Sequence, residues 1–99
     1  MKLEIYFLRI EDCEDCQEML SCIERSITDF GRPCEIISYY CDEDSDGNVK
    51  DPDALDLAIE HGLDDLPACV IGEYTFCGKY DYDYDEILEA IEKTWGEQA

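Results

Sequence analysis

Leu3-Glu4-Ile5-Tyr6-Phe7-Leu8-Arg9-Ile10-Glu11-Asp12-Cys13-Glu14-Asp15-Cys16 decides how this chain is read. An apolar run with strand character passes through a short acidic loop into two cysteines spaced Cys-x-x-Cys. Apolar residues then recur at Cys16, Met19, Leu20, Ile23 and Ile27, the stripe of an amphipathic helix. The dithiol therefore falls at the mouth of a strand–loop–helix unit. There the leading sulfur meets unpaired backbone N–H groups and the positive end of the helix dipole, both of which favour thiolate over thiol. The spacing lets the second sulfur reach back and close a ring.

Outward from that unit, Gly31 and Pro33 end the helix, and Cys34 to Cys41 forms a second strand. A strand–helix–strand path makes the two strands parallel and the crossover right-handed. The polar loop Asp42 to Asp51 follows. Pro52 suits the first position of a second helix carrying Ala54, Leu55, Ala58 and Ile59, closing at Gly62. Leu66 to Ile71 is a third strand, turning about Glu73 into Thr75-Phe76-Cys77. A last helix presents Ile87, Leu88, Ile91 and Trp95 on one face. The order βαβαββα predicts one α/β domain over residues 1–99, with a mixed four-stranded sheet flanked by helices.

The 27 acidic residues against 7 basic ones leave a formal net charge of −20. Nucleic acid and anionic membrane surfaces would be repelled, and self-repulsion favours a monomer at low salt. A highly solvated acidic surface is the simple reading; basic partners or a salty cytoplasm are alternatives. No run approaches a membrane span, and Met1-Lys2-Leu3-Glu4 lacks a signal-peptide pattern. A cytoplasmic location is expected, where seven cysteines stay reduced.

Cys13-x-x-Cys16, Leu66-Pro67 opening the third strand and the Cys77-Gly78-Lys79-Tyr80-Asp81 turn together resemble the thioredoxin superfamily, nearest to glutaredoxins and small thioredoxin-like reductases. The resemblance spans the whole chain. It implies a thiol–disulfide oxidoreductase, most simply a disulfide reductase. Cys13 and Cys16 would be catalytic, with Leu66, a cis Pro67 and Gly78 holding a bound peptide as a short added strand. Partners would be a protein disulfide and an external reductant, with no cofactor required. The dithiol interior is Glu-Asp where the family often carries Gly-Pro or Pro-Tyr. Cys77 stands where glutathione-binding members show a first glycine, and the acidic flank disfavours glutathione.

Cys13, earlier and more exposed, is the expected nucleophile; Cys16, on the apolar stripe, the resolving thiol. Asp12, Glu14 and Asp15 oppose the helix terminus by like charge. A less stable thiolate makes a reductant rather than an oxidant. Two other readings remain open: a non-catalytic adaptor with an idle dithiol, or a metal protein using the two cysteines. The sole histidine, His61, is expected at a helix end away from them. Cys22 is expected as an exposed spare thiol, Cys34 and Cys41 as small buried hydrophobes. Cys69 and Cys77 are expected to face each other across the hairpin, either as core filling or as a second redox pair.

Asp42-Glu43-Asp44-Ser45-Asp46-Gly47-Asn48-Val49-Lys50-Asp51-Pro52-Asp53 matches the spacing of a calcium loop. Asp42, Asp44, Asp46, Asn48 and Asp53 would supply oxygens around a structural Ca²⁺, with Gly47 at the sharp turn. The alternative is a solvated acidic turn.

Overall fold

The computed structural model describes residues 2–78 and 82–98. Seven elements follow in the order expected: β1 (Leu3–Arg9), α1 (Glu14–Phe30), β2 (Cys34–Tyr40), α2 (Asp53–His61), β3 (Ala68–Ile71), β4 (Tyr74–Cys77) and α3 (Tyr84–Gln98). They form one sheet in the order β2-β1-β3-β4. β1 is parallel to β2 and antiparallel to β3, and β3 is antiparallel to β4. Lys79, Tyr80 and Asp81 of the expected turn lie outside the described residues. Among the described residues, no helix is long and apolar enough to cross a membrane.

The two-residue alternation of β1 divides the molecule. Leu3, Ile5 and Phe7 are buried with Cys16, Met19 and Ile23 of α1, Cys69 and Ile71 of β3, and Ile87, Ala90 and Ile91 of α3. Leu8 is buried on the opposite face with Ala68 of β3 and Ala54 of α2. The α1/α3 face thus carries most of the core. Phe30 and Trp95 lock the two helices edge to face, ring centroids 5.7 Å apart. α1 ends at Gly31, whose positive φ of 75° lets its N–H reach Ile27 O at 3.0 Å.

At Gly72 a Cβ would lie 2.6 Å from the Thr94 side chain, so only glycine lets the β3–β4 turn pass under α3. There the Thr94 hydroxyl donates to Ile71 O at 3.3 Å.

Several expectations are corrected. Leu55 and Ile59 do not face the sheet: they are 51% and 81% exposed. At 100° per residue Ala54, Leu57 and Ala58 occupy the inward face, leaving 55 and 59 outside. Pro52 caps α2 rather than opening it. β3 begins at Ala68, two residues later than expected, after the proline.

The hairpin register pairs Ile71 with Tyr74, hence Cys69 with Phe76 and Ala68 with Cys77. Cys69 packs on the α1/α3 face and Cys77 on the α2 face, so the two thiols are separated by the sheet and form no redox pair. Cys22 is half-buried against the α1/α3 core, not an exposed spare thiol.

Candidate functional site

β1 ends at Arg9, and four residues carry the chain to α1. Glu11 anchors this loop: its N–H donates to both oxygens of Asp42, at 3.0 and 3.2 Å. Asp12 takes a positive φ of 52°, a conformation that aspartate tolerates better than most side chains. Cys13 then sits in extended conformation as the N-cap of α1. Its Sγ accepts the Cys16 N–H at 3.1 Å, satisfying one of the helix's orphan donors. A sulfur held there lies against the positive helix end, which favours the thiolate.

Cys16 follows one turn later with its Cα 5.2 Å from that of Cys13, and the two sulfurs are paired as a disulfide. Cys16 is fully buried, whereas Cys13 is only half-buried. One sulfur can be approached from solvent; the other is closed off from it.

The Leu66–Pro67 peptide is cis, and Pro67 is buried. Because Leu8 pairs with Ala68 in the antiparallel β1–β3 ladder, Pro67 comes at the end of the sheet where β1 runs toward Cys13. Pro67 O accepts the Gly78 N–H at 2.8 Å. Gly78 has φ of 87°, and a Cβ there would meet an Asp65 carboxylate oxygen at 2.8 Å. The Leu66 N–H is bonded to Asp65 Oδ1 at 2.9 Å. Leu66, Pro67 and Gly78 are thus brought together, with Asp65 against both Leu66 and Gly78. A groove of about 590 Å³ starts at Glu14 and runs along Gln17, Glu18, Ser21 and Cys22 to Arg25.

The other cysteines are muted. Burial pushes the Cys22, Cys34, Cys41 and Cys69 thiols up, Cys69 furthest. Nearby carboxylates, Asp83 at Cys22 and Asp42 at Cys41, act in the same direction, while Arg25 opposes them at Cys22. Cys77 Sγ lies 3.7 Å from Asp64 Oδ1. His61 closes α2, as expected.

The acidic loop is built differently. Asp42 is turned to the Glu11 N–H, and Asp44 Oδ1 accepts the Asp46 and Asn48 N–H groups at 2.9 and 3.0 Å. The Asp44 N–H donates to Asn48 O at 2.8 Å, a bridge joins Glu43 to Val49, and Gly47 turns with φ of 82°. Asp53 opens α2, while Asp51, a residue the spacing argument passed over, accepts the Tyr40 N–H at 2.7 Å. Among the described residues no three His, Cys, Asp or Glu side chains gather as a metal site.

Sequence reasoning also missed Arg9. It is only 7% exposed, and its signal was that it is the sole cation of β1, at the strand's end.

No protein-family model matches the chain, and no curated protein matches it. Two solved structures are similar over nearly their whole length. One, titled the structure of a malarial protein, is 10% identical with a TM-score of 0.56, covering 95% of this chain and 98% of that one. The other is thioredoxin 1 from the thermophilic eubacterium Thermosipho africanus, 15% identical with a TM-score of 0.53, covering 97% and 98%. At such identities the likeness concerns the backbone. The chain has a thioredoxin-like fold, with a cysteine pair at disulfide distance where its first helix begins.

Proposed function

We propose that this protein is a thiol–disulfide oxidoreductase that reduces protein disulfides through Cys13 and Cys16. The observation that carries the reading is the asymmetry of the pair. A half-buried sulfur caps α1 and accepts the Cys16 N–H, while its fully buried partner stands within bonding distance.

In the reduced protein the Cys13 thiolate attacks one sulfur of the partner's disulfide. An S–S bond forms between Cys13 and the partner as the partner's own S–S bond breaks, releasing one partner thiolate. Cys16, losing its proton to solvent, then attacks Cys13 Sγ. The Cys13–Cys16 bond forms, the mixed disulfide breaks, and the second partner thiolate leaves. Two electrons pass from the dithiol to the partner, whose thiolates take protons from water. An external dithiol or a reductase returns two electrons.

Leu66, Pro67 and Gly78 would hold the partner chain beside Cys13, and the groove along α1 offers room for its side chains. For a peptide to use the Leu66 N–H, Asp65 must first release it. The exchange needs only the two sulfurs and an exposed approach, and a reducing compartment such as the cytosol suits it.

Reduction of a disulfide substrate, followed with wild type and Cys13→Ser, tests the reading. Turnover is expected for wild type and none above background for the variant. Equal turnover by the variant would overturn it.

A further inference from the structure

We propose that Arg9 is the buried counter-charge of the Cys13 thiolate and sets how readily the dithiol ionises. Arg9 is a positioning residue here; it acts on charge, not on substrate. The inference rests on the dithiol reading above.

In a chain of 27 carboxylates, an arginine that is 7% exposed makes no ion pair with any described residue. Its Nε is buried without a hydrogen-bond partner. A guanidinium buried on its Nε side without a partner has lost part of its hydration, so an anion brought near it is favoured.

What it does touch is aromatic. The guanidinium carbon lies 5.6 Å from the Phe7 ring centroid and 5.3 Å from that of Tyr40. Ring faces compensate a cation in part and leave its charge in place. Phe7 lies on the face of the sheet that α1 covers, in the same packed cluster as Cys16, and Cys13 rests against that cluster. Arg9, two residues on and stacked over Phe7, therefore brings its charge to the α1 face at the end of the sheet where α1 begins. The thiolate made when the disulfide is reduced is a new anion at that same end of the sheet.

The opposing groups on this end of the molecule are acidic. Glu11, Asp12, Glu14 and Asp15 belong to the loop and first turn around Cys13, and Glu18 to the next turn. Asp64 and Asp65 come from the segment before Pro67, and Asp42 from the loop after β2. Lys50, the nearby cation of that loop, is paired with Glu11. Tyr82, ahead of α3, carries a hydroxyl held above its usual range by burial, with Cys22 and Glu18 adding to it. Carboxylates disfavour a thiolate and a buried cation favours it. Water screens the exposed carboxylates more than it screens Arg9. Arg9 thus offsets an acidic surround that would otherwise hold Cys13 protonated.

The test reads Cys13 ionisation directly, without any disulfide substrate. Rates of iodoacetamide alkylation at Cys13, resolved by peptide mass spectrometry, are followed against pH in reduced wild type, Arg9→Gln and Arg9→Lys. Arg9→Gln keeps the stem without the charge; Arg9→Lys keeps the charge without the planar fork. The Cys13 midpoint is expected to rise by about one pH unit in Arg9→Gln, a tenfold loss of thiolate below the midpoint, and to stay within a few tenths in Arg9→Lys. The reduction potential of Arg9→Gln should fall by about 30 mV per tenfold change. If Arg9→Gln does not fold, Arg9→Met, which removes the charge and keeps an apolar stem, takes its place: a one-unit rise in folded Arg9→Met supports the proposal and an unchanged midpoint overturns it. An unchanged midpoint in folded Arg9→Gln, or equal shifts in both variants, overturns it as well. Because alkylation needs no turnover, these outcomes stand apart from a failure of the reductase reading, which appears as absent disulfide reduction.

Discussion

Two segments of this chain carry the spacing of a functional motif, and the fold treats them differently. The four residues from Cys13 to Cys16 are brought together as read: one helical turn suffices to place both sulfurs, and the helix end itself supplies the Cys16 N–H. In the twelve residues from Asp42 to Asp53, no three acidic side chains gather among the described residues. Their carboxylates serve backbone N–H groups instead: Asp42 at Glu11, Asp44 at Asp46 and Asn48, Asp51 at Tyr40. A motif closed within one helical turn depends on local geometry alone. A loop motif depends on which way each side chain turns, and there the backbone donors compete for the same oxygens.

The comparison breaks most sharply at Cys13. Cys13→Ser should reduce disulfide turnover to the rate of buffer thiols, and Cys16→Ser should accumulate a mixed disulfide with the partner, seen as a mass adduct that dithiothreitol removes. Wild-type turnover in Cys13→Ser would place the dithiol beside the acidic loop as spacing without chemistry.

Cysteine alkylation in the reduced protein sharpens the contrast between the dithiol and the other sulfurs. Near pH 8 iodoacetamide should modify Cys13 at least tenfold faster than Cys22, Cys34, Cys41 and Cys69. Burial raises those four thiols, so their thiolates appear only at more alkaline pH, and their rates should climb as pH increases beyond the ordinary thiol range. Faster modification of Cys22 than Cys13 at pH 8 would reverse the ranking.

In the acidic loop, Asp44→Ala removes the acceptor of two N–H groups and should lower unfolding free energy by about 1 kcal/mol, read from urea denaturation, with disulfide turnover unchanged. The loop's exposure sets that modest size, since water can replace part of what is lost.

A smaller effect is expected at the flank of the dithiol. Glu14→Gln/Asp15→Asn should lower the Cys13 thiolate midpoint by a few tenths of a pH unit at low salt, and less in 1 M salt. An unchanged midpoint at low salt would show that these carboxylates do not tune the sulfur.

Calcium gives the smallest expected signal. Added Ca²⁺ should raise the melting temperature no more than charge screening by ionic-strength-matched MgCl₂ does, in wild type and in Asp44→Asn/Asp46→Asn alike. A Ca²⁺-specific rise lost in that variant would mean that the loop reorganises around the ion and that the two segments are alike after all.

The element order, the parallel β1–β2 pair and the helix bearing the dithiol were legible because each rests on periodicity within one segment. Cys16, Met19 and Ile23 fall every three or four residues and are buried together. The facing of α2 was not legible. Ala54, Leu55, Ala58 and Ile59 are all apolar, and only docking on the sheet turns Ala54 and Ala58 inward and leaves Leu55 and Ile59 in water. Nor was the hairpin register, where a single residue decides whether Cys69 meets Cys77 or Phe76.

By itself, then, the sequence determined what lies within reach of one turn or one strand: the helix start, the cysteine spacing and the core stripe. Hydrogen bonding along a helix and alternation along a strand are short-range, and the order of residues within one segment reports them. The tertiary structure decided what depends on two segments meeting. It set the faces to which Cys69 and Cys77 belong and the Asp42 carboxylate that holds the Glu11 N–H. It also buried Arg9 between Phe7 and Tyr40. Burial and pairing are properties of the packed chain, and a side chain's neighbours across the sheet are absent from its own stretch of sequence.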